Sequence, residues 1–220
     1  MKEVVAAHDK RERYFEDEQT KAQYRRIVAG LSWPVDKPGF VVVVAEDLKE
    51  DRELEAHHLR VLGEAEDLDP MELFRKSLDL RARYRVQEFL GDTLDKGNMD
   101  FLKQFNRNPK SGTLHLQNAP LVEDANCLNY YAKSIKHRLP SDRAFHTLHF
   151  DETSKLPGYL ENLKTKEVST ATNLDHPAIA ALGFAVAYLD TSEYRPPPTE
   201  WKTKNIAKTY FPNPDYNRGR

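Results

Sequence analysis

The chain has 220 residues, with 33 Lys and Arg against 35 Asp and Glu, and a formal charge of −2. At roughly 150 residues per domain this predicts one domain with appendages, and 39% hydrophobic beside 31% charged residues describes a folded, soluble chain and excludes a wholesale polycation. No run approaches the roughly 20 apolar residues of a membrane helix, the N-terminus turns charged too early for a signal region, and the single Cys127 excludes an internal disulfide, so a cytoplasmic setting without a membrane partner is expected.

The first predicted element is a helix over 8–29, where Tyr14, Phe15, Tyr24 and Ile27 recur at loosely helical spacing. Gly30, Pro34, Pro38 and Gly39 then read as a linker, which makes 1–38 a helical arm. The run FVVVVA over 40–45 is the pattern of a strand buried on both faces, and 57–62 reads as its antiparallel return. Asp69-Pro70 predicts a helix start, with Asp69 as N-cap, Pro70 in the first helical position, and Leu73, Phe74, Ser77 and Leu78 on the buried stripe. Strand character returns over 84–90. A short helix over 97–105, a strand over 113–117, a helix over 123–139, a strand over 145–150 and a helix over 156–164 follow. An apolar helix over 177–189 closes the series. The alternation predicts an α/β domain with a mixed sheet over 39–190, and the proline-rich, basic stretch 191–220 reads as an extended tail.

Charge is segregated along the chain: 46–72 is strongly acidic, whereas 102–146 is basic. Carboxylates at strand ends are the candidates for chemistry. Asp47 follows FVVVVA and Asp92 follows YRVQEFLG, so the two converge if those strands are parallel neighbours, because ligands of an open α/β sheet collect beyond its carboxyl ends. Two such acids with a third, Asp175 before the last helix, would share hard divalent cations for phosphodiester hydrolysis. The same residues also read as two strand-end turns and a helix N-cap. Lys103, Arg107, Lys110, Lys133 and Lys136 are candidate phosphate contacts, and Tyr130-Tyr131 reads either as a stacking surface or as core. Adjacent His57 and His58 point to opposite faces of a strand and are poor joint metal ligands, while Cys127 reads as a small buried hydrophobe.

The stretch DPMELFRKSLDLRARYRVQEFLGDTLDKGNMDFLKQF, taken with the later LPGYLENLKTKEVSTATNLDHPAIAALGFAVAYL, resembles the ribonuclease-H-like nuclease domain of viral (phage) large terminase subunits over approximately 39–190. That resemblance implies a ribonuclease-H-like mixed sheet flanked by helices. It also implies a metal-dependent endonuclease cutting double-stranded DNA in phage DNA packaging, in a bacterial or phage-infected cytoplasm. Asp47 or Glu46 would be the first-strand ligand, Asp92 the acid of the neighbouring strand, and Asp175, helped by His176, the acid at the last helix, together holding Mg²⁺ or Mn²⁺. The alternative is a non-catalytic DNA-packaging or assembly module with a degraded site. Two departures from the family pattern stand out. The final motif reads Asp175-His176-Pro177 and then Ile179-Ala180 where paired acids are usual, and only two initial strands are visible where the fold has three. No GxxxxGK[ST] phosphate loop occurs, so a packaging ATPase or portal protein would be a separate partner.

Overall fold

The computed structural model describes residues 3–8, 13–34, 36–51, 56–92, 96–108, 110, 112–120, 127–139, 147–161 and 175–191. The first surprise is at the N-terminus. The region read as a helical arm forms three antiparallel strands, β1 (Val4–His8), β2 (Arg13–Asp17) and β3 (Gln23–Ser32). The turn between β2 and β3 is built by Asp17, whose Oδ1 accepts from the amides of Gln19 at 2.9 Å and Thr20 at 2.8 Å. That is the local bonding by which Asp nucleates turns in preference to helix. Lys21 completes it at a φ of 59°. Ile27 to Ser32 are all buried, so β3 is a central strand covered on both faces, and the residues at apparent helical spacing divide between β2 (Tyr14, Phe15) and β3 (Tyr24, Ile27). The boundary at residue 39 is therefore corrected: the sheet begins well before it.

β4 (Gly39–Asp51) returns beside β3 and β5 (Ala56–Asp67) returns beside β4, both antiparallel, as the FVVVVA pattern predicted. α1 (Pro70–Tyr84) starts as its sequence requires: the Asp69 carboxylate accepts from the Met71 amide at 2.9 Å, with Pro70 at the first helical position. It ends at Arg85, held in the left-handed region at φ 57°. The chain then enters β6 (Glu88–Gly91), parallel to β3, with Leu90 beside Gly30. After α2 (Lys96–Arg107), β7 (Leu116–Asn118) adds parallel to β6. α3 (Cys127–His137), the two-residue β8 (Leu148–His149) parallel to β5, α4 (Leu156–Glu161) and α5 (Pro177–Thr191) complete the described chain.

Among the described residues these strands form one eight-stranded mixed sheet whose centre reads β5-β4-β3-β6-β7. Three antiparallel strands followed by two parallel ones, each reached through a helix, is the ribonuclease-H-like order. The initial strand that seemed to be missing is β3. Alternating valines of β4 divide the core. Val42 and Val44 face α3 and α5, whereas Val41 and Val43 face α1 and α2. α5 is apolar all round because it is enclosed by the sheet on one side and by α3 and α4 on the other. Its seat depends on two glycines. A Cβ at Gly30 would run into the carbonyl of Ala181, and one at Gly183 into the Tyr131 side chain. Tyr131 is itself core, edge-on to Phe184 with centroids 4.8 Å apart and donating to the carbonyl of Pro120 at 2.6 Å. Cys127 opens α3 with its side chain outside the described set, as is the tail over 192–220.

Candidate metal centre and its carboxylates

Strand direction decides which acids meet. β3 runs from Gln23 to Ser32, and because β4 is antiparallel, Asp47 pairs with Tyr24 at the beginning of β3 while Phe40 pairs with Ser32 at its end. β6 is parallel to β3, so Asp92, one residue beyond Gly91, stands level with Ser32. Asp47 and Asp92 are thus at opposite ends of the sheet, separated by eight strand positions or on the order of 25 Å. Their convergence is corrected by this topology. The expectation assigned Asp47 to the first strand of the fold, whereas FVVVVA is the second.

Asp47 has a different occupation. Its two carboxylate oxygens accept from Arg60 Nε at 2.9 and 3.1 Å, a bond that raises the Arg60 pKa above its ordinary value. Tyr24 beside them is pushed up to about 12, by burial first and then by the charges of Asp17 and Asp47. Glu46, the alternative ligand, is buried and gripped by Arg26: Nε donates to Oε2 at 2.5 Å and Nη2 to Oε1 at 3.0 Å. The same Nη2 donates to the carbonyl of Leu189 at 2.6 Å, so the pair ties β3 and β4 to the C-terminal turn of α5. Both acids are engaged in holding the fold.

At the carboxyl end of β3 and β6 the position on the central strand is Ser32, buried, on the face that Gly30 presents to α5. From Ile27 through Pro34 this strand and its exit carry no carboxylate. Asp175 and His176 do reach this end, since both line a cavity of about 210 Å³ with Phe40, Lys37, Glu66 and Tyr159 at the N-terminus of α5. Asp175 is paired there with Lys37, whose Nζ lies 3.3 Å from its Oδ1. Of the predicted ligands, the structure therefore brings Asp92, Asp175 and His176 to one end of the sheet and leaves Glu46 and Asp47 at the other. Among the described residues no three His, Cys, Asp or Glu side chains converge on a point. A pair of divalent ions about 4 Å apart needs several bridging oxygen ligands, and this donor set does not fit it.

The basic candidates separate in the same way. Lys103, Arg107 and Lys110 belong to or follow α2, whose Leu102 and Phe105 pack with Trp33, Phe74 and Leu73 on one face of the sheet. Lys133 and Lys136 lie on α3, whose Leu128, Tyr131 and Ile135 pack with α5 on the other. The five are exposed but do not make one surface, and Lys103 is already paired with Asp100 at 2.9 Å. Sequence reasoning also missed a cluster at the far end, where His58 meets His149 and Asp51. Its members are up to 98 residues apart and carry no spacing motif. Among the described residues no helix is long and apolar enough to cross a membrane.

Neither a protein-family model nor a curated protein matches the chain. Among solved structures it is similar to the nuclease domain of the large terminase of bacteriophage SPP1, solved with bound Mn, at 15% identity and a TM-score of 0.47, over 76% of this chain and 87% of that one. It is also similar to the large terminase of a thermophilic bacteriophage at 9% identity and a TM-score of 0.44, over 76% of this chain and 40% of that one. The ribonuclease-H-like fold is defined by the strand order itself, and the central strand of this chain ends in Ser32, whereas the first-strand acid was expected at Asp47 or Glu46.

Proposed function

We propose that the chain is a terminase-nuclease-like module of phage DNA packaging that engages double-stranded DNA or the packaging assembly without cutting. The observation that carries this reading is Ser32 at the end of β3, with Asp47 and Glu46 committed to Arg60 and Arg26 at the opposite end of the sheet. The DNA-packaging setting rests on the sequence resemblance and the strand order, and a packaging ATPase or portal protein is the partner that setting supplies. DNA contact on this reading is electrostatic and carried by one layer, because the two basic sets face away from each other.

Supercoiled and linear DNA in Mg²⁺ or Mn²⁺ provide the test. The expected result is intact DNA in either metal, with retardation that weakens as salt rises. Lys133→Ala with Lys136→Ala is expected to weaken retardation, whereas Lys103→Ala, on the opposite face of the sheet, leaves it unchanged. Mn²⁺-dependent cutting that disappears in Asp92→Asn would overturn this reading and restore the metal-dependent endonuclease. Absence of both cutting and retardation would confine the module to protein contacts.

A further inference from the structure

At the end of the sheet far from Ser32, the rings of His58 on β5 and His149 on β8 approach each other with Nδ1 of the first 2.6 Å from Nε2 of the second. Their planes differ by only 15°, and the centroids are 4.9 Å apart. The centroid separation exceeds the nitrogen separation by about the half-widths of the two rings, so the imidazoles lie edge to edge with these nitrogens aimed head-on. The other nitrogen of His58, Nε2, is 3.1 Å from Asp51 Oδ2. With the Asp51 carboxylate accepting from Nε2–H, the Nδ1 lone pair faces His149, and this is how outer carboxylates orient imidazole ligands on metals. The cluster is reachable, with the His58 and Asp51 side chains 21% and 32% exposed. Neighbouring His57 is excluded from it, because its Nδ1 meets the carbonyl of Asp47 at 2.9 Å and its Nε2 meets Arg25 at 2.5 Å.

We propose that His58 and His149 form a two-imidazole site for a borderline transition-metal ion of the Zn²⁺ class, supported by Asp51 and completed by water. The ion replaces the proton shared between the two rings: the Nε2 hydrogen of His149 leaves to solvent while its Nδ1 holds or takes up a proton, so that His149 stays a neutral imidazole, and both lone pairs turn to the metal. Imidazole–metal bonds of about 2.0–2.1 Å require the nitrogens to move apart from their present separation, a small opening between β5 and the two-residue β8. Imidazole selects Zn²⁺, Ni²⁺ and Cu²⁺ over Mg²⁺, so this site is chemically separate from any carboxylate chemistry at Asp92.

Zn²⁺ alone, titrated into the full chain, tests it. At about a hundredfold excess over the dissociation constant the melting temperature is expected to rise by about 5–10 °C, with no rise in Mg²⁺ and reversal by a chelator. His58→Ala and His149→Ala are expected to abolish the rise, Asp51→Asn to weaken Zn²⁺ binding about 10–100-fold, and His57→Ala to preserve it. Should a histidine variant fold poorly, competition of the wild-type chain with a chromophoric chelator reads one Zn²⁺ per chain directly, and His149→Gln replaces the alanine. A chain that takes up no Zn²⁺, or one whose Zn²⁺ response survives in His58→Ala, would show that the pair shares a proton only and overturn the proposal.

Discussion

Replacing Gly30 with alanine is expected to destabilise the protein by about 3 kcal/mol or more, the upper part of the range for overpacking. The added methyl group would occupy the space of the Ala181 backbone carbonyl, and neither partner can yield cheaply. On one side is the central strand, bonded to β4 and β6; on the other is a helix enclosed by α3 and α4. Relief requires α5 to lift from the sheet, which would expose Ala181, Leu182 and Ala185 from the core. Denaturant unfolding monitored by circular dichroism measures the loss. A change below about 1 kcal/mol would mean that α5 is not seated on β3 as described. The same substitution at an open glycine such as Gly158, where a Cβ meets nothing, is the control.

The second large effect belongs to Glu46. Glu46→Ala leaves the Arg26 guanidinium buried with one carboxylate partner removed, and breaking such a pair from one side costs about 3–5 kcal/mol. The lost carboxylate also loosens Arg26 from the Leu189 carbonyl, so fraying at the end of α5 should accompany the loss. The apolar double replacement Arg26→Met with Glu46→Leu is expected to recover a large part of the stability, since no fully buried charge remains; Arg25, which also lies 3.5 Å from Glu46, is partly exposed. Had Glu46 been a metal ligand, its removal would relieve repulsion among acids and stabilise the metal-free protein. Loss of stability in the single variant and recovery in the double one therefore establish its structural role.

The two outcomes bear on what the sequence could disclose. Local, self-contained signals were legible: Asp69-Pro70 at the start of α1, the β-branched run of β4, and the apolar final helix all appear in place. β3 was not legible, because the Arg25-Arg26 pair at its start looks like a solvated helix face until Glu46, twenty residues on, is seen to bury Arg26. The consequence was larger than one element. With β3 hidden, β4 reads as the first strand, and Asp47 is grouped with Asp92 although the two lie at opposite ends of the sheet. Asp175 lies just before the last helix, a position legible because a helix start is local, but its pairing with Lys37 spans 138 residues and has no spacing signature. The His58–His149 contact is of the same kind, visible only once β5 and β8 lie side by side.

Mn²⁺ binding followed by electron paramagnetic resonance is the most direct measurement on the central claim that β3 lacks the carboxylate for a metal pair. The wild-type chain is expected to show no spin-coupled pair of Mn²⁺ ions at any occupancy, because Ser32 supplies no bridging carboxylate and Asp47 is on the order of 25 Å away along β3. Two coupled Mn²⁺ ions per chain, lost together in Asp92→Asn and in Asp175→Asn, would contradict the account.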